Sequence, residues 1–208
     1  MALQRSWVVV WLVATLLVTP AVAQKNEVVG VAGRTFVDGQ RVPNTNFFDN
    51  QVNFGEGFTI EGVYGRHLSG GDFATLMVEV PVVLDPQEEL NYGINTIPKN
   101  YWSLFVTPGI RGTIFAGNRV SPWASFGGGF GHFSESSDLV FGGANPGKTG
   151  TTTGVYQYGF GVDVKMWKSY LFRCELRNFN SGVPQLNVDT GKTRQNNIFV
   201  GVGFGWRF

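Results

Sequence analysis

The tightest constraint on this chain is a two-residue alternation whose apolar side has no protein to cover it. Residues 197–208 read N-I-F-V-G-V-G-F-G-W-R-F. Ile198, Val200, Val202, Phe204, Trp206 and Phe208 fall on one parity, and Phe199, Gly201, Gly203, Gly205 and Arg207 on the other. Successive side chains of a strand point to opposite faces, so this segment has one continuous apolar face and one small or charged face. The chain stops on an aromatic residue, so no later segment is expected to cover the apolar face. Such a face calls for lipid as its solvent.

Seven further segments alternate in the same way: 27–37, 54–66, 72–84, 102–115, 120–133, 153–167 and 170–179. With the last strand they make an even set of eight, each long enough to cross a bilayer as a tilted strand of about nine to eleven residues. Short connections (67–71, 116–119, 168–169) alternate with long polar ones (38–53, 85–101, 134–152, 181–196). An antiparallel meander places all tight turns at one end and all long loops at the other. The expected fold is therefore all-β, an eight-stranded antiparallel up-and-down transmembrane β-barrel, with periplasmic turns and extracellular loops. A soluble exported eight-stranded carrier would be apolar inside and polar outside. Here Phe160, Val162, Val164 and Met166 share one face while Asp163 and Lys165 oppose them, which is the inverse arrangement.

Residues 1–23 have the form of a secretory signal peptide: Arg5, an apolar run over 7–18, and Ala21-Val22-Ala23 as a small-x-small cleavage pattern. The run is too short for a membrane helix, which needs ~20 residues. The barrel domain is expected over 24–208, about 185 residues and within single-domain range. The formal net charge of +1 implies no nucleic-acid partner. The lone Cys174 excludes an internal disulfide framework and a cysteine metal site, and no other residue pattern calls for a metal or cofactor.

The charges expected to face inward are Arg34, Glu61, Glu79, Arg111, Asp163, Lys165, Arg173, Glu175, Arg177 and Arg207. Buried charges must pair, and the tight turn at 168–169 makes Asp163 and Arg173 expected cross-strand neighbours. An eight-stranded barrel is only wide enough for side chains to fill it, so this set reads first as a salt-bridged plug and second as a pore lining. Aromatics are expected to form two belts, with Phe54, Tyr101, Trp102 and Tyr156 toward the long loops. Trp123, Trp167, Tyr170, Trp206 and Phe208 are expected toward the tight turns.

Four segments carry a resemblance to a known family: S-P-W-A-S-F-G-G-G-F-G (121–131), G-F-G-V-D-V-K (159–165), F-R-C-E-L-R-N-F (172–179) and G-F-G-W-R-F (203–208). Over its whole mature length the chain resembles the small bacterial outer-membrane β-barrel family, which includes the OmpA transmembrane domain, OmpX and OmpW. The resemblance implies residence in the outer membrane. It implies contact with outer-membrane lipid and lipopolysaccharide, and insertion with the help of periplasmic chaperones and the barrel-assembly machinery. Phe204, Trp206 and Phe208 resemble the assembly signal that this machinery reads. A monomer is implied. OmpA-like proteins continue into a peptidoglycan-binding domain after the barrel; with Phe208 closing the last strand here, a cell-wall tether is not expected.

Catalytic chemistry finds little support. His132-Phe133-Ser134 is similar to the His-x-Ser pair of lipid A deacylase barrels, but it sits on the fifth strand and Glu135 has the wrong parity to join it. His67-Leu68-Ser69 falls in a short turn. Pro81 and Pro108, on neighbouring strands, cannot donate to a ladder and are expected to mark bulges or a weakened seam. The expected function is structural or surface-interacting. A narrow channel or hydrophobic-solute conduit stands second, and an outer-leaflet lipid enzyme third.

Overall fold

The computed structural model describes residues 25–43, 50–55 and 57–208. The expected signal segment 1–23 lies outside the described residues. Eleven strands follow one another: β1 (Asn26–Val37), β2 (Gln40–Arg41), β3 (Gln51–Phe54), β4 (Gly57–Gly70), β5 (Ala74–Asn91), β6 (Asn100–Val106), β7 (Gly109–Ile114), β8 (Val120–Glu135), β9 (Thr151–Trp167), β10 (Tyr170–Gly182) and β11 (Arg194–Arg207).

The barrel wall is a closed antiparallel ring of eight staves. The order runs β1, β4, β5, a stave made of β6 and β7, then β8, β9, β10 and β11. The ring closes where β1 pairs β11, from Glu27 opposite Arg207 to Val37 opposite Asn197. Closure follows from the medium, because lipid offers no hydrogen-bond partner to an open sheet edge.

The interruption between β6 and β7 falls at Thr107-Pro108. The register does not slip there: β5 pairs Val82 with Val106 above the break and Glu79 with Gly109 below it. The Thr107 amide donates to the Pro81 carbonyl at 3.2 Å, and the Gly128 amide to the Pro108 carbonyl at 3.0 Å. The two prolines each remove one donor without shifting the strands. Close approach at this point is possible because β8 carries glycine: a Cβ on Gly129 would stand 1.9 Å from the Val106 carbonyl oxygen.

The outer face is the apolar one. Phe58, Ile60, Leu76, Val78, Val82, Ile110, Phe126, Phe160, Val200, Val202 and Phe204 all project outward and are exposed. On β8 Phe126 and Phe130 face out, while Trp123 and Ser125 are buried inside. The belts of aromatics need three corrections: Phe54, on the same parity as buried Val52, is partly buried and meets Tyr101 edge-on at 6.4 Å. Tyr101 and Trp123 face the interior, because each sits on the inward parity of its strand and packs there with Phe133 and with arginines respectively. Trp167, Tyr170, Trp206 and Phe208 remain outside at the tight-turn end, and Trp102 and Tyr156 at the long-loop end.

The long connections are not free loops. β5 continues past the girdle to Asn91, and β3 pairs with this extension, Asn53 opposite Asn91 and Phe54 opposite Leu90. The Asn187 side chain donates to Thr96 at 3.1 Å and to Asn145 at 2.7 Å, and Asn95 donates to the Gly142 carbonyl at 2.8 Å. Three loops are thereby tied into one cap.

Two outcomes follow. Gly129→Ala is expected to lower folded yield and stability by ~2 kcal/mol or more, because its neighbour is backbone that cannot move aside. Gly128→Ala, whose Cβ would meet only Val155 oxygen at 3.7 Å, is expected to fold like the parent. The unboiled gel shift reads both. Cys174, the one free thiol, is exposed on the outer face beside Val162 and Val202, so a membrane-soluble maleimide should label it in vesicles and a charged one should not.

Candidate functional site

Because inward residues alternate with lipid-facing ones along each strand, the interior is built from one residue in two. It divides into layers from the tight-turn end upward.

The lowest layer is ionic. Glu27 accepts from Arg111 at 2.6 Å and from Arg173 at 2.8 Å on one oxygen, and from Arg207 at 2.7 Å on the other. Asp163, directly opposite Arg173, accepts from it at 2.7 and 2.9 Å and takes the Trp123 indole N–H at 3.0 Å. One step higher, Arg177 donates to Glu79 at 2.6 Å and stands 3.1 Å from Glu61 and 3.3 Å from Glu175. The guanidiniums of Arg111, Arg173 and Arg177 lie 5.5, 5.0 and 5.0 Å from the Trp123 ring centre, within cation–π range. Gly161 makes this possible, since a Cβ there would stand 2.3 Å from the indole.

Above the ions sits an aromatic layer. Phe105 stacks on Phe179 at 5.3 Å and meets Phe133 edge-on at 5.7 Å, and Phe199 is fully buried beside them. Above that comes a polar layer under the cap. Thr35 and Thr59 share a hydrogen bond of 2.8 Å, Gln40 donates to Gln195 at 2.9 Å, and Asp85, Glu88 and Glu135 are buried.

Of the ten charges expected inside, nine occupy the lumen or its mouth. Glu61, Glu79, Arg111, Asp163, Arg173, Glu175 and Arg177 are buried, and Arg207 is nearly so. Lys165 lies at the tight-turn mouth, where its amine donates to the Ala116 carbonyl at 2.6 Å. Arg34 is the exception. It is exposed on the outer face, on the same parity as Val28 and Phe36. The inward parity of β1 carries Glu27, Val29, Val31 and Thr35 instead. Both faces of β1 are rich in small apolar residues, so parity alone could not tell them apart. Glu27 is the charge of the ionic layer that the alternation does not reveal, and it joins three arginines; Asp85, Glu88 and Glu135, higher up, are further buried acids outside the expected set. The sign that could have found Glu27 was the count: six bases against four acids demanded another acid.

Phe204, Trp206 and Phe208 lie on the outer face, with Trp206 stacked on Phe208 at 4.6 Å. At the His132–Ser134 rim, the His132 ring bonds Thr152 at 2.8 Å and rests on Trp102 at 5.5 Å, while Ser134 donates to the Thr149 carbonyl at 3.4 Å. Glu135 turns to the opposite side of the wall, where it accepts from the Gln185 amide at 2.8 Å. The three groups of a hydrolytic site are therefore not brought together.

A closed eight-stave ring with an apolar exterior and an ion-paired interior defines an integral outer-membrane β-barrel. No protein-family description matches the chain, and no curated protein matches it. Solved structures match it in fold. The outer membrane protein OprG of Pseudomonas aeruginosa superposes with a TM-score of 0.51 at 12% identity, covering 89% of this chain and 97% of that one. Neisserial surface protein A superposes with a TM-score of 0.50 at 12% identity, covering 88% and 97%. At these identities the likeness is one of fold alone.

The ionic layer yields a prediction. Arg177→Met strands Glu61, Glu79 and Glu175 beside one lost counter-charge and is expected to cost about 3–5 kcal/mol in a reversible folding titration in lipid. Arg34→Met, on the outer face, is expected to change stability by less than about 1 kcal/mol, as for a side chain near the interface.

Proposed function

We propose that this chain is a closed outer-membrane barrel whose role is structural and surface-presenting, not conductive. The observation that carries the reading is the filled interior. Arg111, Arg173, Arg177, Phe105, Phe133, Phe179 and Phe199 are each at most 1% exposed, which leaves no water-wide passage beside them. A conducting lumen has to expose its lining to solvent.

In this reading the tight turns face the periplasm and the tied loops form a firm cap at the cell surface, the part available to other molecules. Outer-membrane lipid and lipopolysaccharide are the partners of the wall. Arg34 suits that role: it stands opposite Phe58 at the long-loop edge of the apolar girdle, and there a guanidinium reaches headgroup phosphates while its stem stays in the apolar layer. The mature barrel works as a monomer after delivery by periplasmic chaperones and the barrel-assembly machinery, with Phe204, Trp206 and Phe208 as its assembly signal.

Planar-bilayer recording tests this. Protein whose folding is verified by gel shift is expected to give no steady current in molar salt at neutral pH. A reproducible unitary conductance, altered by neutralising Arg111 or Glu79, would replace the structural reading with a channel.

A further inference from the structure

At the long-loop mouth β5 leaves register with β6 between Asp85, opposite Ser103, and Glu88, opposite Tyr101. The extra residue turns Pro86 and Gln87 outward and both acids inward, where they are 2% and 1% exposed. The two carboxyl groups meet over the Gly57 backbone. A Cβ on Gly57 would stand 2.5 Å from both Asp85 oxygens and 2.7 Å from Glu88 Oε2. Two carboxylates this close and this buried cannot both be ionised without a compensating cation.

No cation faces them among the described residues. From β4 come Thr59 and, deeper, Glu61; from β6, Tyr101; from β8, Glu135. β1, β2 and β11 present the neutral Thr35, Gln40 and Gln195. Glu89 on β5 itself is exposed and acidic, and Arg34 and Arg41 project outward. The neighbouring backbone is the attachment of the strap formed by β2 and β3: the Gly55 amide donates to the Glu89 carbonyl at 2.9 Å, and Phe54 pairs with Leu90.

We propose that Asp85 and Glu88 form a proton-operated latch, in which one shared proton holds the β5 extension and the β2–β3 strap shut over the mouth and its loss to solvent releases them. The ionic layer lies below the latch and stays shut in both states, so the switch changes the cap and not the permeability. Glu88 stands above Leu84, the last outward apolar residue of β5. Burial, and next the charge of Asp85, push its carboxyl up to about 9 from an ordinary 4.5. The closed form therefore holds a proton that the open form sheds. Closure is fully present below about pH 4.5 and is lost progressively as pH rises to about 9.

Amide exchange on folded protein in phospholipid vesicles tests the latch. After correction for base catalysis, opening at Phe54, Gly55 and Leu90 is expected to increase by up to about tenfold per pH unit between those limits, then level off. Glu88→Gln, which carries the proton's hydrogen bond permanently, is expected to abolish the rise. Asp85→Asn is expected to move its midpoint to lower pH. A flat profile in the parent protein, or a Glu88→Gln profile that follows the parent, would overturn the proposal. So would a carbon-13 titration of the Glu88 carboxyl with its midpoint in the ordinary range, a readout that does not depend on either variant folding.

Discussion

A sheet in lipid has no water at its edge, and each unpaired backbone group left there costs several kcal/mol. Closure of β1 on β11 is the answer to that constraint, and the rest of the molecule depends on it. Asn26 and Phe208 finish the seam with reciprocal backbone bonds of 2.9 Å each. Once eight staves close, the lumen is only about as wide as the side chains that point into it. The interior must then be packed as a core, although alternation delivers to it the polar half of every strand. The prolines on adjacent staves are tolerated for the same reason: Pro81 and Pro108 give up donors, but each carbonyl still receives one.

That filling explains the choice of arginine. A guanidinium carries five donors in a planar fork, so one Arg can serve several carboxylates and stack on an aromatic ring as well. Arg177 does so toward Glu61, Glu79 and Glu175 while lying over Trp123. Buried ion pairs are weak evidence for net stability, because desolvation offsets much of their attraction. Their stronger effect here is on register. A slip of β10 by one residue would send Arg173, Glu175 and Arg177 into lipid and bring Phe172, Cys174 and Leu176 inside.

Where the two faces of a strand differ sharply, as in 153–167 and 170–179, the alternation separates the lumen face from the lipid face up to Lys165; Trp167, of inward parity, lies outside beyond the register shift at the tight turn. The alternation also gives the stave number and the order of tight and long connections. It does not decide where both faces are alike: β1 has valines on each side, so the alternation alone does not tell that Arg34 faces out and Glu27 faces in. Period-two reading also cannot see a bulge. The register shift after Asp85 kept Glu88 inside although it is an odd number of residues further on, and the segment 85–101 therefore read as a loop. The packing of the loops into a cap rests on side-chain amides such as Asn95 and Asn187, whose partners lie far away in sequence.

The two ends of the interior are charged by different rules. In the ionic layer each of Glu27, Glu61, Glu79, Asp163 and Glu175 has an arginine within ion-pair distance. Under the cap, Asp85, Glu88 and Glu135 have backbone amides, hydroxyls and each other, but no cation among the described residues. The first arrangement ties β1, β4, β5, β7, β9, β10 and β11 together, so its failure is failure of the barrel. The second is attached to the β5 extension and the β2–β3 strap, which can part from the ring without breaking the ring's closure. Elements of this kind, held by few contacts at the rim of a rigid body, are where local opening is least costly. An acid pair with no counter-ion among the described residues thus sits where the structure is least tied down, and the charges matched by arginine sit where the wall is most tightly held.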